Sequence, residues 1–390
     1  MKSELFGKLE DCVKITDEPK LPTYTCFPSQ HLKAKYKTEG VYGNAIDIDE
    51  GIAASKSKSE MLERLSLENA RDENIYMEFK NCSLDAFLRD KQVDLDVDYI
   101  TWQLGENIIT GADYPVPRQF IYNDDSLNYE PTLIPERIST GAAANRQKNE
   151  SDVLLCGVME CIERHSCMWF YYGGIEFFKL DRLPCEIQSL LDYLKRYRLT
   201  CDIYALRAPH APIHTFVACT QDLTGIGQPI SFGASANLNY RNAIRKALLE
   251  SIQFRFACRL MIETSAYPKR IEESDVVSID QRMAYWLDAS RISTITQWLD
   301  GPDSTQTSFS ALEKSQEVKS FRDVVDFYRS RNILVLHTHI ALPEMLASGW
   351  TVGKTIIPSY VPMFLDERVK DEVLVDIPST KFKKPPHPFL

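Results

Sequence analysis

Two copies of a Glu-x-x-Glu-Arg pattern are the part of this sequence best suited to chemistry. The residues are Glu60, Glu63 and Arg64 in the first copy and Glu160, Glu163 and Arg164 in the second. Residues three and four apart lie on one helix face, so each copy would present two carboxylates and a guanidinium together. Proteins usually hold Mg²⁺ with a few carboxylates and the phosphates of a substrate. The pattern therefore indicates a magnesium and phosphate site.

A third segment carries a variant of the pattern, with Glu250, Gln253 and Arg255. Guanidinium and amide groups are suited to bind phosphate or sugar oxygens. Together the three segments predict an ATP site without a glycine-rich phosphate loop. Gly353-Lys354-Thr355 resembles the end of such a loop, but Ser348 stands where the motif needs a glycine. That segment has the pattern of a strand.

The surroundings of the second copy favour a functional site over a solvated helix face. A single Glu-x-x-Glu-Arg on a polar helix usually forms an exposed internal ion pair. The second copy instead lies between the apolar stretches Val153–Met159 and Met168–Phe170. Ionised carboxylates in a buried helix are costly unless they are paired or bound to metal.

Helices and strands must position these residues, and both kinds of element are predicted along the chain. Helices are predicted over residues 50–67, 150–170 and 240–262, with start signals at Asp47 and Asp49, at Asn149 and Ser151, and at Asn237 and Asn239. Strands are predicted over 215–218, 333–336 and 355–357, and turns over 115–117 and 225–227. His337 and His339 alternate and so share one strand face, where packing is a better explanation than metal binding. Three prolines predict an extended tail over residues 381–390.

Composition excludes several classes of protein. The 390 residues include 45 Lys and Arg against 55 Asp and Glu, a formal net charge of −10. This balance argues against nucleic-acid binding, which needs a basic surface. No apolar run reaches the roughly 18 residues of a membrane span, and no signal core is present, so a cytoplasmic protein is expected. Ten cysteines without a Cys-x-x-Cys pair predict neither a disulfide scaffold nor structural zinc.

The three helical segments, in this order and spacing, resemble the YcaO family of ATP-dependent enzymes that modify peptide backbones. The matching stretches are residues 54–64, 139–145 continuing to 160–164, and 243–255, together with Trp102, Gly105, 115–117 and 352–362. The resemblance covers roughly residues 40 to 390. It implies a single domain over residues 1–390 with an α+β fold, in which mixed β-sheets and helices surround a non-P-loop ATP site.

The resemblance also implies cofactors and ligand residues. ATP and Mg²⁺ would be the cofactors. The metal ligands would be Glu60, Glu63, Glu160 and Glu163. The residues that bind the nucleotide would be Arg64, Asn145, Arg164, Glu250, Gln253 and Arg255.

The tail narrows the resemblance to the azoline-forming members. Pro386-His387-Pro388-Phe389 is similar to their proline-rich C-terminus, which reaches the active site and contributes to catalysis. In these enzymes a Cys, Ser or Thr side chain attacks the preceding carbonyl, and ATP phosphorylates the amide oxygen so that it can leave. Pro386, His387 and Pro388 are therefore the candidate catalytic residues. His387 is either a general base near neutral pH or a packing residue in a groove.

The resemblance implies partners as well. A precursor peptide would be the substrate, and a separate partner related to ubiquitin-activating enzymes would bind its leader. A flavin-dependent dehydrogenase often oxidises the azolines to azoles. Two alternatives stay open: a relative that makes thioamides or macrocyclic amidines, and a non-catalytic ATP-binding scaffold of a modification complex.

Overall fold

The computed structural model describes most of the chain as two compact units. It describes residues 5–12, 14–70, 87, 100–123, 139–146, 150–225, 229–264, 271–300, 304–378 and 384–389. Unit 1 comprises Met1–Val13, Leu21–Cys161 and Val325–Tyr360, and unit 2 comprises Lys14–Lys20, Ile162–Val324 and Val361–Leu390. The single domain expected over residues 1–390 stays a prediction.

Unit 1 contains two antiparallel sheets. Its strands are β1 (Phe6–Asp11), β2 (Thr23–Pro28), β3 (Gly43–Ile46), β4 (Trp102–Asn107), β5 (Ala112–Pro117), β6 (Ser139–Asn145), β12 (Leu336–His339) and β13 (Thr351–Ile357). The small sheet has the order β1-β2-β3, and the large sheet has the order β5-β4-β12-β13-β6. The helices of unit 1 are α1 (Gln30–Lys33), α2 (Glu50–Leu67) and α10 (Pro343–Ala347), with the first part of α3 (Glu150–Tyr172) and the last part of α9 (Phe321–Ser330).

Helix α2 begins and packs as its sequence dictates. The side chain of Asp49 caps the helix by accepting from the Ile52 N–H, which satisfies one of the unpaired amides of the first turn. One face is apolar, and Met61, Leu62 and Leu65 on that face join the core of unit 1. The helix packs against β2, β3, β6 and β13, so its glutamates lie close to strand backbone.

Unit 2 is built on one five-stranded sheet of order β10-β9-β8-β7-β11. Its strands are β7 (Phe177–Arg182), β8 (Leu199–Leu206), β9 (Thr215–Asp222), β10 (Ile230–Ala236) and β11 (Ser304–Ser308). Only the β7–β11 pair is parallel among these described strands. The helices are α4 (Cys185–Lys195), α5 (Tyr240–Glu263), α6 (Ile279–Trp286), α7 (Ile292–Leu299), α8 (Phe309–Ser315) and α11 (Lys370–Val373), with the remainder of α3 and α9.

Helix α5 covers the sheet of unit 2. Asn239 caps it by accepting from the Asn242 N–H, and it packs along β8, β9 and β10. The core beneath is rich in aromatic side chains, including Phe170, Phe232 and Phe389. Such rings bury large apolar areas and favour edge-to-face contacts, as between Phe232 and Phe389 at 5.5 Å.

The predicted α+β class and the three helices are confirmed, whereas two strand-level predictions are wrong. The predicted turn at Pro115–Pro117 is the end of the edge strand β5, paired to β4. Proline is tolerated there because an edge strand has N–H positions that need no partner. The strand predicted over 333–336 begins only at Leu336. Asn149 and most of the predicted turn at 225–227 lie outside the described residues.

In the part of the chain that the structure describes, no helix combines the length and the apolar character needed to cross a membrane.

Candidate active site

In unit 1, two predicted metal ligands are held by backbone amides of neighbouring strands. The Asn44 N–H of β3 donates to Glu60 Oε2 at 2.9 Å. The Ala142 N–H of β6 donates to Glu160 Oε2 at 2.7 Å. A charge-assisted hydrogen bond from a fixed amide orients the carboxylate and costs little reorganisation.

Unit 2 repeats the arrangement with two further carboxylates, both held by backbone amides of β10. The Ala236 N–H donates to Glu163 Oε2 at 3.2 Å, and the Ala234 N–H donates to Glu250 Oε2 at 3.1 Å. Helix α3 thus supplies Glu160 to unit 1 and Glu163 to unit 2. We refer to Glu60, Glu160, Glu163 and Glu250 as the strand-anchored glutamates.

A glycine precedes three of these strand amides and permits the close approach of strand and helix. Gly43, Gly141 and Gly233 each stand one residue before the amide that binds Glu60, Glu160 and Glu250. A Cβ atom at any of the three would overlap backbone of the facing helix, such as the Ser57 carbonyl oxygen for Gly43 and the Ala247 carbonyl oxygen for Gly233. The repeated glycine is therefore a steric requirement of the carboxylate anchor.

The carboxylates of unit 1 repel each other electrostatically. Burial raises the pKa of Glu60 above 4.5, and the nearby charge of Glu160 raises this pKa further, while Arg64 lowers it. Arg64 Nη2 lies 2.6 Å from Glu60 Oε1, with 44% of the arginine side chain exposed. Glu63 is half-buried one helical turn away. A cation between the carboxylates would relieve the repulsion.

In unit 2, the strand-anchored glutamates line a small cavity. Its lining residues are Glu163, Arg164, Cys167, Phe232, Gly233, Ala234, Glu250, Phe254, Met363 and Phe389. Glu163 and Glu250 both raise the pKa of the Cys167 thiol, after burial as the main cause. Two carboxylates and a guanidinium therefore meet aromatic and thioether surface in one place.

Part of the C-terminal tail is buried, and the contacts of His387 are those of a residue packed in a groove. Pro386, His387 and Pro388 are all buried, and Phe389 beyond them lines the cavity. His387 Nε2 lies 2.7 Å from the Phe364 carbonyl oxygen and must donate to it. Burial, followed by the charge of Arg282, holds the pKa of His387 well below its usual value. The ring is therefore neutral near neutral pH.

Arg255, predicted to contact the nucleotide, is bound to two buried carboxylates of the protein itself. Its side chain is 3% exposed and makes two hydrogen bonds to Glu18, at 2.9 and 2.8 Å, and one to Asp222 at 2.9 Å. Burial raises the pKa of Glu18, and Arg255 opposes that shift. Gln253 and Arg255 are not among the described residues that line the cavity. Asn145 is half-buried at the end of β6 in unit 1.

Two histidines, His165 and His337, are buried and have packing roles. His165 Nδ1 accepts from the Val361 N–H at 2.8 Å, so Nε2 carries the proton and donates to the Pro209 carbonyl oxygen at 2.9 Å. This places His165 as a link between α3 and the chain at Val361. His337 and His339 share a strand face as predicted, with ring centroids 5.0 Å apart. His337 is buried against Thr355 and Gly353.

The carboxylates fit Mg²⁺ by chemistry and by orientation. Among the described residues, no group of three or more His, Cys, Asp or Glu side chains is placed to hold a metal ion by itself. Each unit instead gathers two oriented carboxylates. Mg²⁺ is usually bound through one or two carboxylates plus substrate phosphates. A pair of carboxylates therefore suits a metal–nucleotide complex better than a metal ion held by protein ligands alone.

Sequence reasoning missed the supporting residues. The glycines and strand amides of the anchors were not identified, nor were the tail contacts of Arg282. The glycines had a usable signal, because each precedes its glutamate at a similar separation along the chain. Glu18 and Arg282 had none, since their partners lie far away in sequence.

Comparison with known proteins identifies relatives at the level of family and fold. The family model described as YcaO cyclodehydratase, ATP- and Mg²⁺-binding, matches residues 53–361. A search of curated proteins finds no match. The family description confirms the predicted cofactors, ATP and Mg²⁺.

Three solved structures share the fold. A heterocyclase in complex with substrate and cofactor is 15% identical, with a TM-score of 0.66; the match covers 98% of this chain and 54% of that one. YcaO from Methanopyrus kandleri, bound with AMPPCP and Mg²⁺, is 14% identical, with a TM-score of 0.65 and coverages of 98% and 91%. The E. coli microcin synthetase McbBCD complex contains a chain 14% identical, with a TM-score of 0.59 and coverages of 90% and 88%. This chain thus spans about half the length of the heterocyclase.

Proposed function

This chain belongs to the YcaO family, and we propose that it catalyses ATP-dependent cyclodehydration of Cys, Ser or Thr residues in a ribosomally made precursor peptide. The products are thiazolines or oxazolines, formed through phosphorylation of the backbone amide oxygen. One observation carries this choice within the family: the tail residue Phe389 lines the same cavity as Glu163, Arg164 and Glu250. A tail in the active site is the feature that the azoline-forming resemblance implies.

The strand-anchored glutamates and their neighbours would hold the cofactors. Glu60, Glu63, Glu160 and Glu163 would bind Mg²⁺, and Arg64, Asn145, Arg164, Glu250 and Gln253 would contact the nucleotide. Bound Mg²⁺ supplies charge neutralisation on the phosphates. The protein's part is to orient the carboxylates through the amides of Asn44, Ala142, Ala234 and Ala236 and to offer guanidinium groups to phosphate oxygens.

Arg255 has a different role in this proposal from the nucleotide contact expected from the sequence. Its buried hydrogen bonds to Glu18 and Asp222 make it a positioning residue for α5, the helix that carries Glu250. Arg64 keeps the predicted role, because its side chain is partly exposed and already lies beside Glu60.

The tail shapes the site in which the peptide reacts. Pro386 and Pro388 restrict the backbone to extended conformations, and His387 is packed between aromatic rings. Because His387 is neutral and its Nε2 is already bonded to Phe364, it positions the tail in this arrangement. The two prolines and His387 therefore complete the active site by placing Phe389 in the cavity.

The proposed partners are a precursor peptide and a leader-binding protein related to ubiquitin-activating enzymes. A flavin-dependent dehydrogenase would act afterwards where azoles are the final product. Support comes from the fold shared with a chain of a solved synthetase complex.

The direct test is to incubate the chain with the candidate precursor, partner protein and ATP, followed by mass spectrometry of the peptide. Loss of one water per modified residue, with release of ADP, is the expected result. Exchange of an oxygen for a sulfur would identify a thioamide-forming enzyme instead. An unchanged peptide, with no peptide-dependent ADP release, would identify a non-catalytic scaffold.

A mutational test addresses the metal ligands. Glu160→Gln and Glu163→Gln retain an oxygen for the strand amide but lose the charge. We expect ATP consumption to fall about 100-fold or more, because metal-assisted charge stabilisation is worth several kcal/mol, while precursor binding by the complex is unchanged. Glu263→Gln, at the exposed end of α5, is the control. Full turnover in both site variants would contradict the metal assignment.

A further inference from the structure

Arg282 is the largest completely buried side chain among the residues of unit 2 that the structure describes. It lies on α6, and it belongs to none of the sequence motifs that predict the active site. A buried guanidinium is costly unless its donors are satisfied. The groups that bind its Nη1 and Nη2 atoms therefore indicate which parts of the chain it holds together.

Arg282 binds two separate stretches of the C-terminal chain. Nη2 donates to the carbonyl oxygens of Phe364 at 3.3 Å and Leu365 at 2.7 Å. Nη1 donates to the His387 carbonyl oxygen at 2.8 Å and to Glu367 Oε1 at 2.9 Å. The fork of a single side chain thus joins residues 364–367 to the tail, a geometry that the point charge of lysine does not reproduce.

The tail has further contacts around this junction. His387 Nε2 donates to Phe364, which Arg282 also binds. Lys370 Nζ donates to the Lys384 carbonyl oxygen at 2.7 Å, and Lys384 Nζ donates to the Tyr171 carbonyl oxygen. Arg282 differs from these residues because it alone, among the described tail contacts, combines complete burial with a carboxylate partner, Glu367. Hydrogen bonds between charged groups are stronger than those between neutral groups.

We propose that Arg282 is a positioning residue that clamps the C-terminal tail, so that Phe389 stays in the cavity lined by Glu163, Arg164 and Glu250. This inference rests on the proposed function, because only that function gives the clamp an effect on cyclisation. Removing the clamp releases the tail from the cavity. Cyclisation then slows more than nucleotide binding weakens, because the glutamates and their strand amides keep their own hydrogen bonds.

The test uses the full chain with Arg282→Met combined with Glu367→Gln. The pair of changes avoids leaving the Glu367 carboxylate buried without its arginine, which would destabilise the fold by itself. Arg282→Lys is the conservative variant. Arg291→Met is the matched control, because Arg291 also binds two carbonyl oxygens, those of Tyr285 and Ile271, and neither belongs to the tail.

Tail release is measured with trypsin, which cleaves after Lys383, whereas Lys384 is followed by Pro385. The rate at which residues 384–390 appear is followed by mass spectrometry. We expect the double variant to release this peptide about tenfold faster or more, as loss of a charged hydrogen bond implies. Arg282→Lys should fall between the double variant and the unaltered protein, and Arg291→Met should match the unaltered protein.

Activity gives a second readout. In the double variant, kcat for cyclisation should fall while the affinity for a non-hydrolysable ATP analogue is retained. Unchanged tail release in the double variant would overturn the proposal, as would equal release in Arg291→Met. If the unaltered protein forms no azoline while tail release follows the expected order, the clamp stands and the proposed function fails.

Discussion

The pair β3–α2 in unit 1 and the pair β10–α5 in unit 2 hold a glutamate in the same way but use the following arginine differently. In both, a glycine lets the helix approach the strand, and the next strand amide binds the carboxylate. Arg64 then pairs with Glu60 at the surface, with 44% of its side chain exposed. Arg255, in contrast, is 3% exposed and bound to Glu18 and Asp222.

The two arginines are therefore not equivalent, although one belongs to the Glu-x-x-Glu-Arg motif and the other to a variant of it. The carboxylate anchor is common to both pairs, and in the proposed site it orients Glu60 towards Mg²⁺ and Glu250 towards the nucleotide. The arginine of the first pair is accessible to a ligand. The arginine of the second pair stabilises the helix that carries Glu250. Because this arginine is buried, its guanidinium is less accessible to a phosphate.

The largest expected effect is on stability, from Arg255→Met. This change leaves Glu18 and Asp222 buried without their cation, and breaking such a pair typically costs about 3–5 kcal/mol. Arg64→Met, the matched change in unit 1, should cost about 1 kcal/mol or less because the ion pair is exposed. Urea unfolding gives the free energies.

The same two variants separate binding from stability. Arg64→Met should weaken nucleotide binding more than it weakens the fold, whereas Arg255→Met should show the reverse order. Equal stability losses would break the distinction between the two pairs, and a selective loss of nucleotide affinity in Arg255→Met would restore its sequence-predicted role.

The next effect is a pH dependence at the start of α5, in unit 2. His214 Nδ1 lies 3.1 Å from the Tyr240 hydroxyl at the start of α5, and burial lowers the pKa of His214 from 6.5 to about 4. The unfolded chain binds the proton more readily, so stability is full above pH 6.5 and falls as the pH drops towards 4. The loss is about 3 kcal/mol at most.

Hydrogen exchange checks this dependence in each pair separately. Peptides from α5 should lose protection through this window earlier than peptides from α2, which begins at Asp49 without a histidine contact. His214→Asn, which keeps a polar group near Tyr240 but does not titrate, should remove the difference. His31→Gln, at an exposed position, is the control; the same result in both variants would contradict the assignment.

The smallest expected effect is shared by the two pairs. Gly43→Ala and Gly233→Ala each place a Cβ against helix backbone, and overpacking of this kind costs about 1–3 kcal/mol. Both should also weaken Mg²⁺-dependent nucleotide binding, because the strand amide moves away from its carboxylate. Gly51→Ala in the first turn of α2 should be neutral or slightly stabilising. Calorimetric unfolding and nucleotide titration measure both quantities; a silent Gly43→Ala would show that the close approach is unnecessary.

Local signals explain why the helices were predictable. Asp49 and Asn239 cap α2 and α5 as expected from their side chains. The apolar residues of each helix recur at the spacing of one helix face, which is a local signal as well. The two Glu-x-x-Glu-Arg copies likewise contain three of the carboxylates that the strand amides hold, and the variant segment contains the fourth, Glu250. Local chemistry was sufficient because the amides belong to strands that come shortly before their helices.

The rest depends on contacts between distant parts of the chain. Arg255 meets Glu18 across 237 residues, and Arg282 meets His387 across 105. Neither pairing leaves a local pattern, so a buried structural arginine looks the same in sequence as one that binds phosphate. Pro115 was misassigned for a related reason, since only the order of strands shows that β5 is an edge.

The two prolines of β5 have a consequence for how the protein behaves at high concentration. An edge strand with free N–H groups is a template on which another molecule can add its own strand. Pro115 and Pro117 stand two residues apart on the edge strand of the large sheet of unit 1 and remove two such donors. This edge is therefore a poor starting point for β-type aggregation through the large sheet.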